Sequence, residues 1–184
     1  MAAPTEIRSS FVIRLIGAMA LDPVIYEELE ADRSATGQAC AVVVLSSLSA
    51  GIGARGYGTG SIQAVLFISS LALVGWLVWA LVTYQIGARL MPEPQTQSDV
   101  GELLRTIGFS AAPGMLRVFG IVPGATIPAF AITAVWMLAA MIVAVRQSLD
   151  YTSTGRAVAV CALGWTLAIG IALALGIVFG PTLQ

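Results

Sequence analysis

Five apolar runs of membrane length follow one another between residues 37 and 183, at 37–54, 62–87, 103–122, 126–145 and 157–179, separated by short polar or glycine-rich breaks. The shortest holds 18 residues. At about 1.5 Å rise per residue it reaches about 27 Å as a helix, close to one hydrocarbon core. Runs of this kind have no place in a 184-residue water-soluble globule, so the bilayer is this chain's solvent. Composition agrees: 58% of residues are hydrophobic and only 10% charged, a membrane-protein balance. The expected fold is an all-α integral membrane protein with five transmembrane helices. An interfacial amphipathic helix and a short acidic helix precede them, so residues 1–36 form a cytoplasmic or interfacial segment and 37–184 a five-span membrane domain.

Several chemistries are excluded by what the chain lacks. Net charge is −1, so no basic field invites nucleic acid. There is no His and no Lys, since all nine basic residues are Arg. The commonest general base and metal ligand is therefore missing, as are a phosphate-loop lysine and Schiff-base chemistry. Cys40 and Cys161 lie inside apolar runs without metal-ligand spacing and read as small buried hydrophobes. Gly56-Tyr57-Gly58-Thr59-Gly60-Ser61 lacks the lysine and strand of a phosphate loop and reads as a turn between spans. No catalytic residues, cofactor or metal site are expected. Composition rich in Ala, Gly, Val and Arg hints at a bacterial source, and so at a bacterial inner membrane.

The N-terminal region is polar by comparison. Placed on a helix, Phe11, Val12, Leu15, Ile16 and Met19 share one face, opposed by Ser10, Arg14 and Gly17. This predicts a helix lying on the bilayer surface or packed on the membrane domain. Arg8, the apolar stretch and Ala18-Met19-Ala20 resemble a signal peptide, but Arg14 breaks the apolar region, so cleavage is not expected. Asp22-Pro23 restarts the chain as N-cap and first-turn proline. The helix that follows carries Glu27, Glu28, Glu30 and Asp32, either a solvated face or a partner-binding one.

Arginine placement sets the topology. With five spans and a cytoplasmic N-terminus, Arg8, Arg14, Arg33, Arg89, Arg105, Arg146 and Arg156 fall inside, against Arg55 and Arg117 outside. That distribution obeys the positive-inside rule and puts the C-terminus outside. Arg117, near the outer end of its span, is expected to snorkel, and no Asp, Glu or Lys lies deep in any span.

At the inner interface, Glu102 with Arg105 at i, i+3 and Arg146 with Asp150 at i, i+4 have pairing distance on a helix, and Arg156 opens the last span. They either join the third, fourth and fifth spans or act singly on helix dipoles. The third span opens with a capping pair, Asp99 and Glu102. Pro113-Gly114 at its middle predicts a kink. In the fifth, Gly164, Ala168, Ala172, Gly176 and Gly180 recur every four residues, the small-residue groove that lets helices approach in lipid. Ser46, Ala50 and Ala54 repeat it in the first span.

Three strings resemble the Yip family, the Ypt/Rab-interacting membrane proteins, in its bacterial form. They are Asp22-Pro23 with Tyr26-Glu27-Glu28-Leu29-Glu30-Ala31-Asp32; Gly101-Glu102-Leu103-Leu104-Arg105-Thr106-Ile107-Gly108-Phe109 with Pro113; and Arg146-Gln147-Ser148-Leu149-Asp150-Tyr151 running into Gly155-Arg156-Ala157. The likeness covers roughly residues 15 to 180. It implies a cytoplasmic N-terminal segment and five spans. In eukaryotic relatives it implies contact with prenylated Rab-type GTPases and roles in vesicle traffic; a bacterial chain has no such partner, so GTPase binding is not carried over. The expected function is non-enzymatic: organising, or associating with, membrane lipids and other membrane proteins or a second copy through helix packing. The alternative is a permease or lipid-translocating protein with a cavity at Pro113-Gly114. The residues expected to carry assembly or partner contacts are Glu28, Glu30, Asp32, Glu102, Arg105, Pro113, Arg146, Asp150, Arg156, Gly164, Ala168, Ala172 and Gly176.

Overall fold

In a computed structural model, the described residues are 9–58, 60–96 and 99–179, with side chains described except at 168 and 171–179. Among them the chain is helical throughout, with seven α-helices and no strand. They are α1 (Phe11–Met19), α2 (Pro23–Ala31), α3 (Thr36–Gly53), α4 (Ile62–Tyr84), α5 (Val100–Ser110), α6 (Thr126–Ser148) and α7 (Thr154–Phe179). A π-helical turn, Gln85–Leu90, prolongs α4, and a ten-residue 3₁₀ segment, Ala112–Ile121, follows α5.

Among the described residues three helices are long and apolar enough to cross a membrane, not five: Arg33–Tyr57, Ile62–Leu90 and Thr126–Ser148. The predicted third span is not one helix. Its capping box forms as expected, with the Glu102 amide donating to Asp99 Oδ1 at 2.7 Å and the Asp99 amide to Glu102 Oε2 at 2.9 Å. The α-helix then stops at Ser110, and Pro113 sits in the first turn of the 3₁₀ segment, where its missing N–H costs no helical bond. The expected kink is thus a change of helix type. The predicted fifth span corresponds to α7, but Ala168, Ala172, Gly176 and Gly180 of its small-residue ladder lie outside the described residues or side chains.

Helix α3 is central, packing on α4, α5 and the 3₁₀ segment, while α6 closes the other side against the 3₁₀ segment, α5, α7 and α2. In lipid, van der Waals packing rather than water exclusion holds such helices together, which favours small residues at contacts. Ser46, Ala50 and Ala54 are all buried, so the first span's ladder is used within the chain. A Cβ on Gly51 would stand 2.5 Å from the Val65 carbonyl oxygen of α4, and one on Gly53 would overlap the Arg117 carbonyl.

The densest packing lies at one end, where Tyr26, Leu29, Leu103, Ile107, Phe109, Val145 and Leu149 are fully buried. Helices α1 and α2 form a hairpin docked on this end. The Phe11 ring meets Phe109 edge-on at 6.2 Å, and Trp136 Nε1 donates to the Met19 carbonyl at 2.7 Å. Of the two placements expected for α1, the structure has it packed on the domain: Arg14 and Ala18 face inward, while Val12, Ile13 and Ile16 point outward. Cys161 is buried as expected; Cys40 is exposed on α3.

Candidate functional site

One buried arginine ties the two arms of the docked hairpin together. Arg14 is 1% exposed, and its guanidinium reaches three side chains. Nε and Nη2 donate to Glu28 Oε1 at 3.0 and 2.7 Å, Nη2 also donates to Asp32 Oδ2 at 2.7 Å, and Nη1 donates to Gln38 Oε1 at 3.1 Å. One cation so joins α1, α2 and the start of α3. Burial alone would raise the Glu28 carboxyl's pKa; hydrogen bonds from Ser9 and Arg14 outweigh it and hold the carboxyl below its ordinary range. The acidic run of α2 therefore faces a partner within the chain: Glu28 and Asp32 bind Arg14, and Glu27 Oε1 accepts from Gln147 Nε2 at 2.9 Å.

Arg105 takes a second position on the same helix. It is 4% exposed and donates from Nε to the Leu29 carbonyl at 3.1 Å and from Nη2 to the Glu30 carbonyl. A cation at the last carbonyls of α2 suits the helix dipole. The expected pairing of Arg105 with Glu102 is absent among the described residues, because Glu102 turns back to cap its own helix. Glu30 is left amid acids: burial pushes its carboxyl up to about 7, with Asp150, Glu102 and Glu27 adding to the rise and Arg105 opposing it.

The Arg146–Asp150 pair is absent as well. Helix α6 ends at Ser148, and Asp150 adopts a left-handed φ of 53°, which destroys the i, i+4 spacing. Arg146 instead donates to the Tyr151 carbonyl at 3.4 Å. Arg156 does find a carboxylate, one the sequence did not single out: its Nε lies 3.5 Å from Glu93 Oε1. Glu93 Oε2 also accepts from the Thr152 amide and hydroxyl at 3.1 and 3.0 Å, and Tyr151 Oη donates to the Gly87 and Met91 carbonyls. The loop after α4 is thereby latched to the α6–α7 turn.

Pro113 and Gly114 are buried and tightly packed. A Cβ on Gly114 would collide with Ser46 Oγ and stand 2.8 Å from Met137 Sδ. A cavity of about 310 Å³ opens one turn further on, between α4, the 3₁₀ segment, α6 and α7, lined by Arg117, Trp76, Trp79, Met137, Met141 and Trp165 among others. Arg117, expected to snorkel, is partly buried against the first turns of α6. Its Nε donates to Thr133 Oγ1 at 3.4 Å, and its Cζ stands 5.5 Å from the centre of the Phe130 ring. On α7, Gly164 packs where a Cβ would stand 2.9 Å from Thr83 Oγ1, so this member of the ladder also serves internal packing.

Arg14, Gln38, Glu93 and Arg117 were not among the expected site residues. For Arg14 and Arg117 a signal existed: each is a charge inside an otherwise apolar stretch. Glu93 carries none, since it lies in a polar loop and the partners that latch it, Thr152 and Arg156, are more than fifty residues away.

A family model described as the Yip1 domain matches residues 17–176. No curated protein and no solved structure matches the chain.

Proposed function

Since the chain belongs to the Yip1 domain family of membrane proteins, we propose that it works without catalysis, as an organiser that associates with other membrane helices through its lipid-facing surface. The observation that carries this reading is a groove on the outer face of α6. It is a shallow, open depression lined by Ala131, Ile132, Val135, Trp136 and Ala139 of this one helix. Ile132 is 62% and Val135 71% exposed. Small residues flanked by branched ones give a second helix room for close approach. The inner-side charges support the same reading, because Glu28, Asp32, Arg105 and Arg156 brace the chain internally and leave the apolar faces as its means of association.

The braced end carries Arg14, Arg33, Arg89, Arg105, Arg146 and Arg156, whereas Arg55 lies at the opposite end of α3. This distribution supports a cytoplasmic braced end, with the N-terminal hairpin as a cytoplasmic attachment of the membrane domain. Photo-crosslinkers placed in turn from Ala131 to Ala144 test the reading. Adducts to a second membrane protein, or to a second copy, are expected at 131, 132, 135 and 139. Adducts confined to lipid at every position refute it.

The transport alternative loses its expected location, given the packing of Pro113 and Gly114. What favours it is the cavity at Arg117, and a liposome flux assay comparing the wild type with Arg117→Gln separates it from the organiser reading.

A further inference from the structure

The cavity beside Arg117 holds a guanidinium with more N–H groups than its surroundings satisfy. Among the described residues, only Nε of the five guanidinium N–H groups has an acceptor, and Arg117 forms no ion pair. The rings of Trp76 and Trp79 also line the cavity, while the Trp79 indole nitrogen is turned to the α4–α7 contact at Gly164. Trp79 is 5% exposed. A guanidinium donates and never accepts, so the cavity lacks acceptors together with one negative charge. Buried donors are ordinarily satisfied, and an unpaired cation within a membrane is costly.

The position identifies where a ligand comes from. Thr133 lies seven residues into the 23-residue α6, about 10 Å below its first residue in a helix about 35 Å long. The mouth is framed by Trp165 and Ile169, which are 42% and 50% exposed on the lipid-facing side, and by Gly75, where a Cβ would meet nothing within 4 Å. Water-borne anions do not approach from that side. A volume of about 310 Å³ is at the lower end for small-molecule sites, enough for a compact head but not for acyl chains.

We propose that this cavity binds a bilayer amphiphile by its anionic, acceptor-rich head, a phosphate or carboxylate seated against Arg117 with Trp76 and Trp79 beside it, while the tail leaves past Gly75 and Ile169 into the lipid. Charge-assisted bonds to a bidentate guanidinium suit both head groups.

Tryptophan fluorescence of the full chain in phosphatidylcholine nanodiscs tests this, titrated separately with dioleoylphosphatidate, oleate and inorganic phosphate. A saturable change with dioleoylphosphatidate, oleate or both is expected, the active arm identifying the head group, with no change from inorganic phosphate. Arg117→Gln, with its helix content checked by circular dichroism, should weaken binding by about tenfold or more. Gly75→Leu keeps every donor and blocks the mouth, and should weaken it comparably; it decides the matter if Arg117→Gln does not fold. The proposal is overturned if neither amphiphile gives a saturable response, if inorganic phosphate gives the same response, or if Arg117→Gln or Gly75→Leu binds like the wild type.

Discussion

Arg14 and Glu28 meet across the α1–α2 hairpin with two guanidinium nitrogens on a single carboxylate oxygen, at 3.0 and 2.7 Å. An ion pair this sheltered is held by its partners, and removing one of them strands the others. Arg14→Ala leaves Glu28, Asp32 and Gln38 facing a gap in the packing. The expected loss is about 3 kcal/mol, read as a lowered Tm in detergent. Arg14→Lys keeps the charge but not the fork, and recovers only part of it. A variant at position 14 with wild-type Tm contradicts the assignment.

Stability depends on pH through the neighbouring Glu30. Its folded pKa, about 7, lies above the ordinary 4.5. Between those values the folded protein retains a proton that the unfolded chain has released, so stability falls as pH rises through this window and levels off above it. Glu30→Gln mimics the protonated form. Relative to wild type it should raise Tm more at pH 8 than at pH 5.5. An equal difference at the two values shows that Glu30 does not titrate in this range.

Glu28 has the opposite sign. Its folded pKa is lowered, so its contribution is present above about pH 4.5 and lost as pH falls further. Glu28→Gln should therefore lower Tm at pH 7, and the difference from wild type should shrink as pH falls toward 3. A difference that persists unchanged at pH 3 contradicts an ionised Glu28.

The latch at Glu93 controls a local opening. Glu93→Ala removes the acceptor shared by Thr152 and Arg156. Limited proteolysis should cleave the 91–96 loop several-fold faster in this variant, while the Tm set by the helix bundle stays near wild type. Equal cleavage rates count against the latch.

Glycine positions differ by what stands opposite. Gly53→Ala must displace the Arg117 backbone and should cost about 2 kcal/mol or more, with poor accumulation. Gly37→Ala meets open space, so it should be neutral or stabilising by up to about 1 kcal/mol. Equal accumulation and Tm for the two would contradict the close approach of α3 to the 3₁₀ segment.

Local patterns in the sequence translated well into structure. The apolar runs at 37–54, 62–87 and 126–145 became long helices, Asp22-Pro23 opened α2, and Asp99 with Glu102 formed a complete capping box. Each of these depends on neighbours within one or two turns. Contacts between distant segments were not legible. Spacing put Arg105 within reach of Glu102, yet the stronger demand came from the free carbonyls ending α2, 75 residues away. Spacing also paired Arg146 with Asp150, a pairing undone by a helix ending two residues too soon. Apolar composition at 103–122 hid the change to 3₁₀ geometry, since hydropathy is indifferent to helix type.

The organiser reading is tested most directly by photo-crosslinking along α6 in native membranes. Adducts to a protein should follow the helical repeat through Ala131, Val135 and Ala139 and be missing at Ala140 and Ala144, which are buried. Lipid-only adducts at every exposed position, with the protein monomeric throughout, would contradict it.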